Sequence, residues 1–197
     1  TSMISYLANE EKYQTAYLSL TRGDGGQNLI GTELGAKLGI LRTQELMQAR
    51  RIDGGKQFFS RASDFGYSKT ADETYQQWGK ELILSDVVQV IRKFRPDIII
   101  TRFPPDSRAG HGHHTASAQL ALEAFDLAAD SKAFPEQLEN FKPWQVKRIF
   151  WNHSPWWNPK LDSLAASDPS YVKLDAGPYI EELGLSCNEL ASHSRSQ

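Results

Sequence analysis

The sequence predicts an α/β fold on a mostly parallel sheet with helices on both faces, and three observations predict it. Strand-like and helix-like segments alternate along the chain, which is the repeat of a parallel sheet with right-handed crossovers. Asp97-Ile-Ile-Ile-Thr101 is apolar, β-branched and too short for a helix, and it is bounded by Pro96 and by Pro104-Pro105. Such an uninterrupted run suits a strand covered on both faces. The two segments richest in chemistry, Thr21–Asn28 and Gly110–His114, each follow a strand, on the edge where an open α/β sheet binds ligands.

Each element follows from its residues. An opening helix puts Met3, Ile4 and Leu7 on one face. Gln14–Leu20 reads as a strand and runs into Thr21-Arg-Gly-Asp-Gly-Gly-Gln-Asn28. That loop has neither the Gly-Lys-Ser/Thr of a phosphate-binding loop nor the spacing of a dinucleotide fingerprint. Its glycines suit a turn with positive φ or a ligand loop equally. Gly31–Ile52 is a long helical pattern with Leu34, Leu38, Leu41 and Leu46 on its apolar face, ended by Gly54-Gly55. On it, Arg42 and Glu45 have the spacing of a surface ion pair, which contributes little. Gln57–Ser60 is a short strand and Arg61–Ser68 a loop. Thr70 or Asp72 caps the next helix, which breaks near Gly79 and resumes to Phe94. Leu82, Val87, Val90, Ile91 and Phe94 should face the core. After the strand at Asp97 a helix runs from about Thr115 to Ala128. Phe134–Trp144 is a loop or short helix, and Lys147–Asn152 a further strand. The tryptophans of His153–Pro159 would stack on a sugar ring or plug the core. Tyr171–Leu174 reads as a short strand, and Gly177–Gln197 as two short helical stretches.

The length of 197 residues suggests one domain. The net charge of −2 leaves no nucleic-acid footprint, and no apolar run is long enough to cross a bilayer. Cys187 is the single cysteine, which rules out an intrachain disulfide and a cysteine-based metal site but does not choose between cytoplasm and periplasm. The opening helix has no strand ahead of it, so the expectation is a domain whose first strand lies outside this chain.

Three of the five histidines fall in Gly110-His-Gly-His-His114. If a helix starts near Gly110, His111 and His114 share a face and His113 is turned by about 100° to point elsewhere. A helix N-terminus disfavours positive charge, which favours neutral rings able to bind a metal or to act as acid or electrophile.

Leu20-Thr-Arg-Gly-Asp-Gly-Gly26, Arg42-Thr-Gln-Glu-Leu46, Arg95-Pro-Asp-Ile-Ile-Ile-Thr101, Gly110-His-Gly-His-His114 and the closing His193–Gln197 together resemble the PIG-L/LmbE-like zinc-dependent de-N-acetylases. The resemblance covers nearly the whole chain. It implies a Rossmann-like sheet, one zinc ion, and removal of acetyl from an N-acetylglucosamine-type amino sugar or a related small amide. His114 corresponds to a zinc ligand. His111 corresponds to the histidine that steadies the oxyanion or protonates the leaving amine. Arg42 and Asp64 match positions that hold sugar hydroxyls, and Arg22 and Asp24 join them as substrate-binding residues. Two departures stand out. The family's His-Pro-Asp-Asp motif, source of two zinc ligands and the base, is absent. Its second motif, His-Pro-Asp-His, here reads His111-Gly-His-His114, which removes a carboxylate between the histidines.

The expectation is therefore a zinc deacetylase in which zinc polarises the amide carbonyl and acidifies its bound water. These residues alone, with one ligand of three, should be inactive. Asp24 or Asp106 could stand in as ligands. The rivals are a non-catalytic sugar-binding module on the same fold and a nucleotide-binding Rossmann protein.

Overall fold

The structure is a computed structural model that describes residues 1–153 and 158–197. In chain order its elements are helix α1 (Ser2–Ser5), strand β1 (Ala16–Ser19), α2 (Ala36–Asp53), β2 (Lys56–Phe59), α3 (Ala71–Trp78), α4 (Lys80–Phe94), β3 (Ile98–Thr101), α5 (Gly112–Leu127), β4 (Arg148–Trp151), α6 (Leu161–Ser167), β5 (Tyr179–Ile180), β6 (Leu185–Ser186) and α7 (Cys187–Arg195). They form two compact units. The first comprises Thr1–Phe59 with Asn158–Gln197; the second begins at Ser60 and holds α3, α4, β3, α5 and β4.

In the first unit β1 and β2 are parallel, Ala16 opposite Lys56 and Ser19 opposite Phe59, with α2 as the crossover. α2 starts at Ala36 and not at Gly31. The Asn28 side chain accepts the N–H groups of Ile30 (3.1 Å) and Gly31 (2.9 Å), which coils the segment, and Gly35 turns at φ 57°. Leu34 is exposed as a result, and Leu38 is the only one of the four expected apolar positions that is fully buried. The buried end of α2 is polar. Arg50 and Asp53 pair there, with Arg50 Nε 2.9 Å from Asp53 Oδ1 and a second contact from Nη2 to Oδ2. Ser194 of α7 donates to Asp53 Oδ2 at 2.9 Å, tying the two helices together. Gly54, at φ 81°, ends α2 as expected.

The C-terminal segment differs from its expectation. One antiparallel hairpin, β5–β6, precedes one helix, α7, which is opened by a capping box between Ser186 and Glu189. Tyr171–Leu174 is not a strand. Among the described residues no strand pairs with it, and Val172 and Leu174 are exposed.

In the second unit Thr70 caps α3 by accepting the Glu73 N–H at 3.2 Å, and Gly79 separates α3 from α4. The buried face of α4 is Ile83, Leu84, Val87, Val88 and Ile91, so Leu82 turns outward, contrary to expectation. Arg92 is also buried. Its guanidinium donates to the carbonyl oxygens of Leu127, Ala128, Asp130, Ala133 and Phe134 and to Gln137 Oε1. β3 and β4 are parallel, Ile98 opposite Arg148 and Thr101 opposite Trp151. Ile98 and Ile100 are exposed, so β3 is not covered on both faces.

The α/β class and the parallel pairing hold. The described residues make three two-stranded sheets, two of them parallel, and these do not by themselves amount to one full Rossmann-like sheet. The expected role of Trp156 and Trp157 lies outside the described residues. Among those residues no helix is long and apolar enough to cross a membrane.

Removing one partner of a buried ion pair strands the other charge. Asp53→Ala should lower unfolding stability by about 3–5 kcal/mol in urea titrations. Asp97→Ala, which breaks an exposed pair with Lys147, should leave the midpoint nearly unchanged. Equal effects would remove the special role of the Arg50–Asp53 contact.

Candidate active site

The histidine loop lies between β3 and α5. His111 is the N-cap of α5, extended at φ −154°. Its Nδ1 accepts the backbone N–H of His113 at 3.0 Å. An accepting ring nitrogen carries no proton, so the His111 proton sits on Nε2 and the ring is neutral. His114 is set the opposite way. Its Nδ1 lies 3.2 Å from the carbonyl oxygen of Ala109, which can only accept. The proton is therefore on Nδ1, and Nε2 presents a lone pair. Burial lowers the pKa of His114, which keeps that lone pair free. Phe103 stacks flat on the ring, centroids 3.6 Å apart. The His111 and His114 rings are 5.0 Å apart.

His113 does not point away as a helix starting near Gly110 would have it: His111 is an extended N-cap outside the helix, and the His113 ring lies 4.7 Å from the His111 ring. The His113 side chain is 11% exposed. Phe65 meets the ring edge-on at 4.5 Å and Trp78 lies against it at 4.8 Å. Nδ1 is 3.9 Å from Asp64 Oδ1, and Nε2 is buried without a hydrogen-bond partner. Desolvation, aided by His111, pushes its pKa down to about 4. Asp64 accepts the Gly66 N–H at 2.9 Å, and Tyr67 meets the His111 ring edge-on at 5.0 Å. Asp64, His113, His111 and His114 thus form one contiguous group. The aromatic wall of Phe65, Tyr67, Trp78 and Phe103 was missed in the sequence. The signal available was Asp64-Phe-Gly-Tyr67, a loop after a strand that carries aromatic side chains beside a carboxylate.

Arg42, Arg22 and Asp24 belong to the first unit. Arg42 Nη1 donates to Gly23 O at 2.9 Å and Nη2 to Gln27 O at 2.8 Å, so it braces the glycine-rich loop. The glycines fit this use: Gly23 sits at φ 70°, and a Cβ on it would meet Arg42 Nη1 at 2.8 Å. Arg22 donates to Thr43 Oγ1 at 3.1 Å and lies over the Phe59 ring. Asp24 packs its Cβ against Gly39.

His114 is fitted to be one metal ligand. Asp106 is engaged by Arg108, through Nε at 2.9 Å and Nη2 at 2.7 Å, which hold its carboxyl down to about 2. Among the described residues no three His, Cys, Asp or Glu side chains group to hold a metal.

The neutral, buried His113 makes stability pH-dependent. Between 6.5 and about 4 the unfolded chain takes this proton before the folded one does. The contribution is complete above the ordinary histidine value and is lost as pH falls through the folded one. The urea midpoint should fall across that window, and less steeply in His113→Phe; parallel profiles would show that His113 does not titrate this way.

Comparison with known proteins now adds to the geometry. The family model described as GlcNAc-PI de-N-acetylase (PIG-L) matches residues 2–125. The 1D-myo-inositol 2-acetamido-2-deoxy-alpha-D-glucopyranoside deacetylase 1 of Catenulispora acidiphila is 26% identical over 172 residues, covering 78% of this chain and 50% of that relative. The chain spans about half the length of that curated relative. An N,N'-diacetylchitobiose deacetylase from Pyrococcus horikoshii superposes with a TM-score of 0.64 at 18% identity, over 100% of this chain and 64% of that one. GalB, the 4-carboxy-2-hydroxymuconate hydratase of Pseudomonas putida KT2440, superposes at 0.57 and 18% identity, over 99% and 76%. At these identities the two structures speak for the fold alone. The family match takes in more than half of the chain, including the histidine loop that caps α5, and the chain belongs to the PIG-L family of GlcNAc-PI de-N-acetylases.

Proposed function

We propose that the protein hydrolyses the N-acetyl group of an N-acetylglucosamine-type amino sugar or a related small amide, with zinc as its metal. The observation that carries this reading is the pair of opposite tautomers at the start of α5. His111 offers an N–H donor, and His114, beside it, offers a nitrogen lone pair. Amide hydrolysis builds negative charge on the carbonyl oxygen, and a positioned neutral donor stabilises it. A neutral imidazole N–H is a poor acid, so His111 is better suited to the oxyanion than to protonating the leaving amine. His114 would hold the metal through Nε2. Asp64, held beside this pair, would accept a sugar hydroxyl.

Support comes from the curated relative whose name describes a deacetylase of a 2-acetamido-2-deoxy-glucopyranoside. We read residues 1–197 as one deacetylase domain.

A second reading, a sugar-binding module without catalysis, is favoured by the lack of a three-ligand group among the described residues. On our reading these 197 residues alone should bind zinc weakly and turn over little substrate. Zinc titration and deacetylation of an N-acetylglucosaminide, run on this polypeptide and on the protein as its gene encodes it, separate the alternatives. Tight zinc binding and turnover only in the latter are expected. Sugar binding without turnover in both would favour the module. Tight zinc and turnover by the 197 residues alone would place ligands among residues assigned here to structure.

A further inference from the structure

We propose that Gly112 and His113 are positioning residues that dock the Asp64 loop (residues 61–68) onto the first turn of α5, and that the His113 ring serves this loop and not His111. The inference rests on the functional reading above only in taking Asp64 to meet the substrate.

The loop is fixed at both ends. At its start the Arg61 N–H donates to Asp86 Oδ2 at 2.8 Å, and the Arg61 guanidinium reaches Asp86 Oδ1 at 2.7 Å. At its end the Ser68 carbonyl accepts the Gly112 N–H at 2.8 Å, and the Ser68 and Thr74 hydroxyls are 2.8 Å apart. A residue at 112 must therefore keep its N–H, and it must also be glycine. A Cβ there would overlap the Thr70 carbonyl oxygen and Ser68 Oγ and would stand 2.7 Å from Thr74 Oγ1. Proline, which the related motif has at this point, fails on both counts.

The tip of the loop, which carries Asp64, is held by rings. Trp78 donates its indole N–H to Ser63 O at 2.8 Å and packs on His113, whose other side meets Phe65. The His113 ring thus fills the space between the tip and α3. The His111 ring lies 4.7 Å from that of His113 but takes no hydrogen bond from it. Its tautomer is set by the backbone N–H of residue 113, which almost any side chain would leave in place. Glycine at 112 and histidine at 113 are in this way one adaptation: the first brings the loop end close, and the second supports its tip.

The test uses His113→Ala and His113→Phe, the latter keeping a ring without nitrogens. Amide exchange at Gly66, whose N–H is bound by Asp64, reports the tip. Nitrogen chemical shifts report the His111 tautomer. Steady-state kinetics on an N-acetylglucosaminide, with the protein as its gene encodes it, report substrate positioning. In His113→Ala, Gly66 exchange should accelerate about ten-fold or more as local opening becomes easier. His111 should stay protonated on Nε2, and the kinetic loss should fall in KM more than in kcat. His113→Phe should restore most of the protection and most of KM. Unchanged Gly66 exchange in His113→Ala, or no recovery in His113→Phe, overturns the proposal. So does a switch of His111 to the Nδ1–H tautomer with a loss in kcat, which would show that the ring serves His111. If the unaltered protein does not act on the sugar, the functional reading falls, while the exchange and tautomer measurements still decide this inference.

Discussion

The start of α5 is the constraint on which the second unit depends. The first N–H groups of a helix have no partner within it and must find acceptors elsewhere. Here the Gly112 N–H is satisfied by the Ser68 carbonyl and the His113 N–H by the His111 ring. Two consequences follow from this single need. A loop distant in sequence is brought against the helix, and an imidazole that could have adopted either tautomer is held in one. The capping interaction thus does structural and chemical work with the same atoms. A serine or aspartate N-cap would satisfy the helix equally well but would offer no ring N–H to a substrate.

Much of this organisation was legible in the sequence. Thr70, Gly54 and Gly79 announce helix boundaries through chemistry that operates within a few residues, and all three act as read. The placement of the histidine loop between a strand and a helix was equally local, whereas His113 lies against the His111 ring because His111 caps the helix from an extended backbone outside it. What escaped was set by partners far along the chain. Arg50 and Arg92 look like surface cations by the usual preference of arginine for solvent. They are buried because a carboxylate in one case and a cluster of carbonyl oxygens in the other take up their donors. Ile98 and Ile100 have the pattern of a strand buried on both faces, yet they are exposed, since burial also requires a layer to lie against them. Arg42 also braces the glycine-rich loop. Two of its donors go to the carbonyls of Gly23 and Gln27, contacts that no helical spacing could reveal.

Likeness of fold does not by itself choose a chemistry. A diacetylchitobiose deacetylase and a hydratase both superpose on this chain, at the same 18% identity. Activity must be argued from side chains. In the histidine loop the argument rests on which atoms carry protons, because a donor and a lone pair side by side suit polarised-carbonyl chemistry in a way that two donors or two lone pairs would not.

The tautomer of His111 also limits what that residue can do. With a carboxylate accepting from Nδ1–H, an imidazole turns a lone pair outward at Nε2 and can take a proton there. With a backbone N–H donating into Nδ1, as here, the outward nitrogen is already protonated and the inner one is engaged. Accepting a proton would require breaking the cap of α5. On the function proposed above, His111 would serve as a donor and not as a base, and another group would deprotonate the attacking water. Glycine at 112 and histidine at 113 are consistent with that division of labour. Where the oxyanion needs only a fixed N–H, the backbone can orient the ring, and the side chain that follows is released to hold the loop beside it.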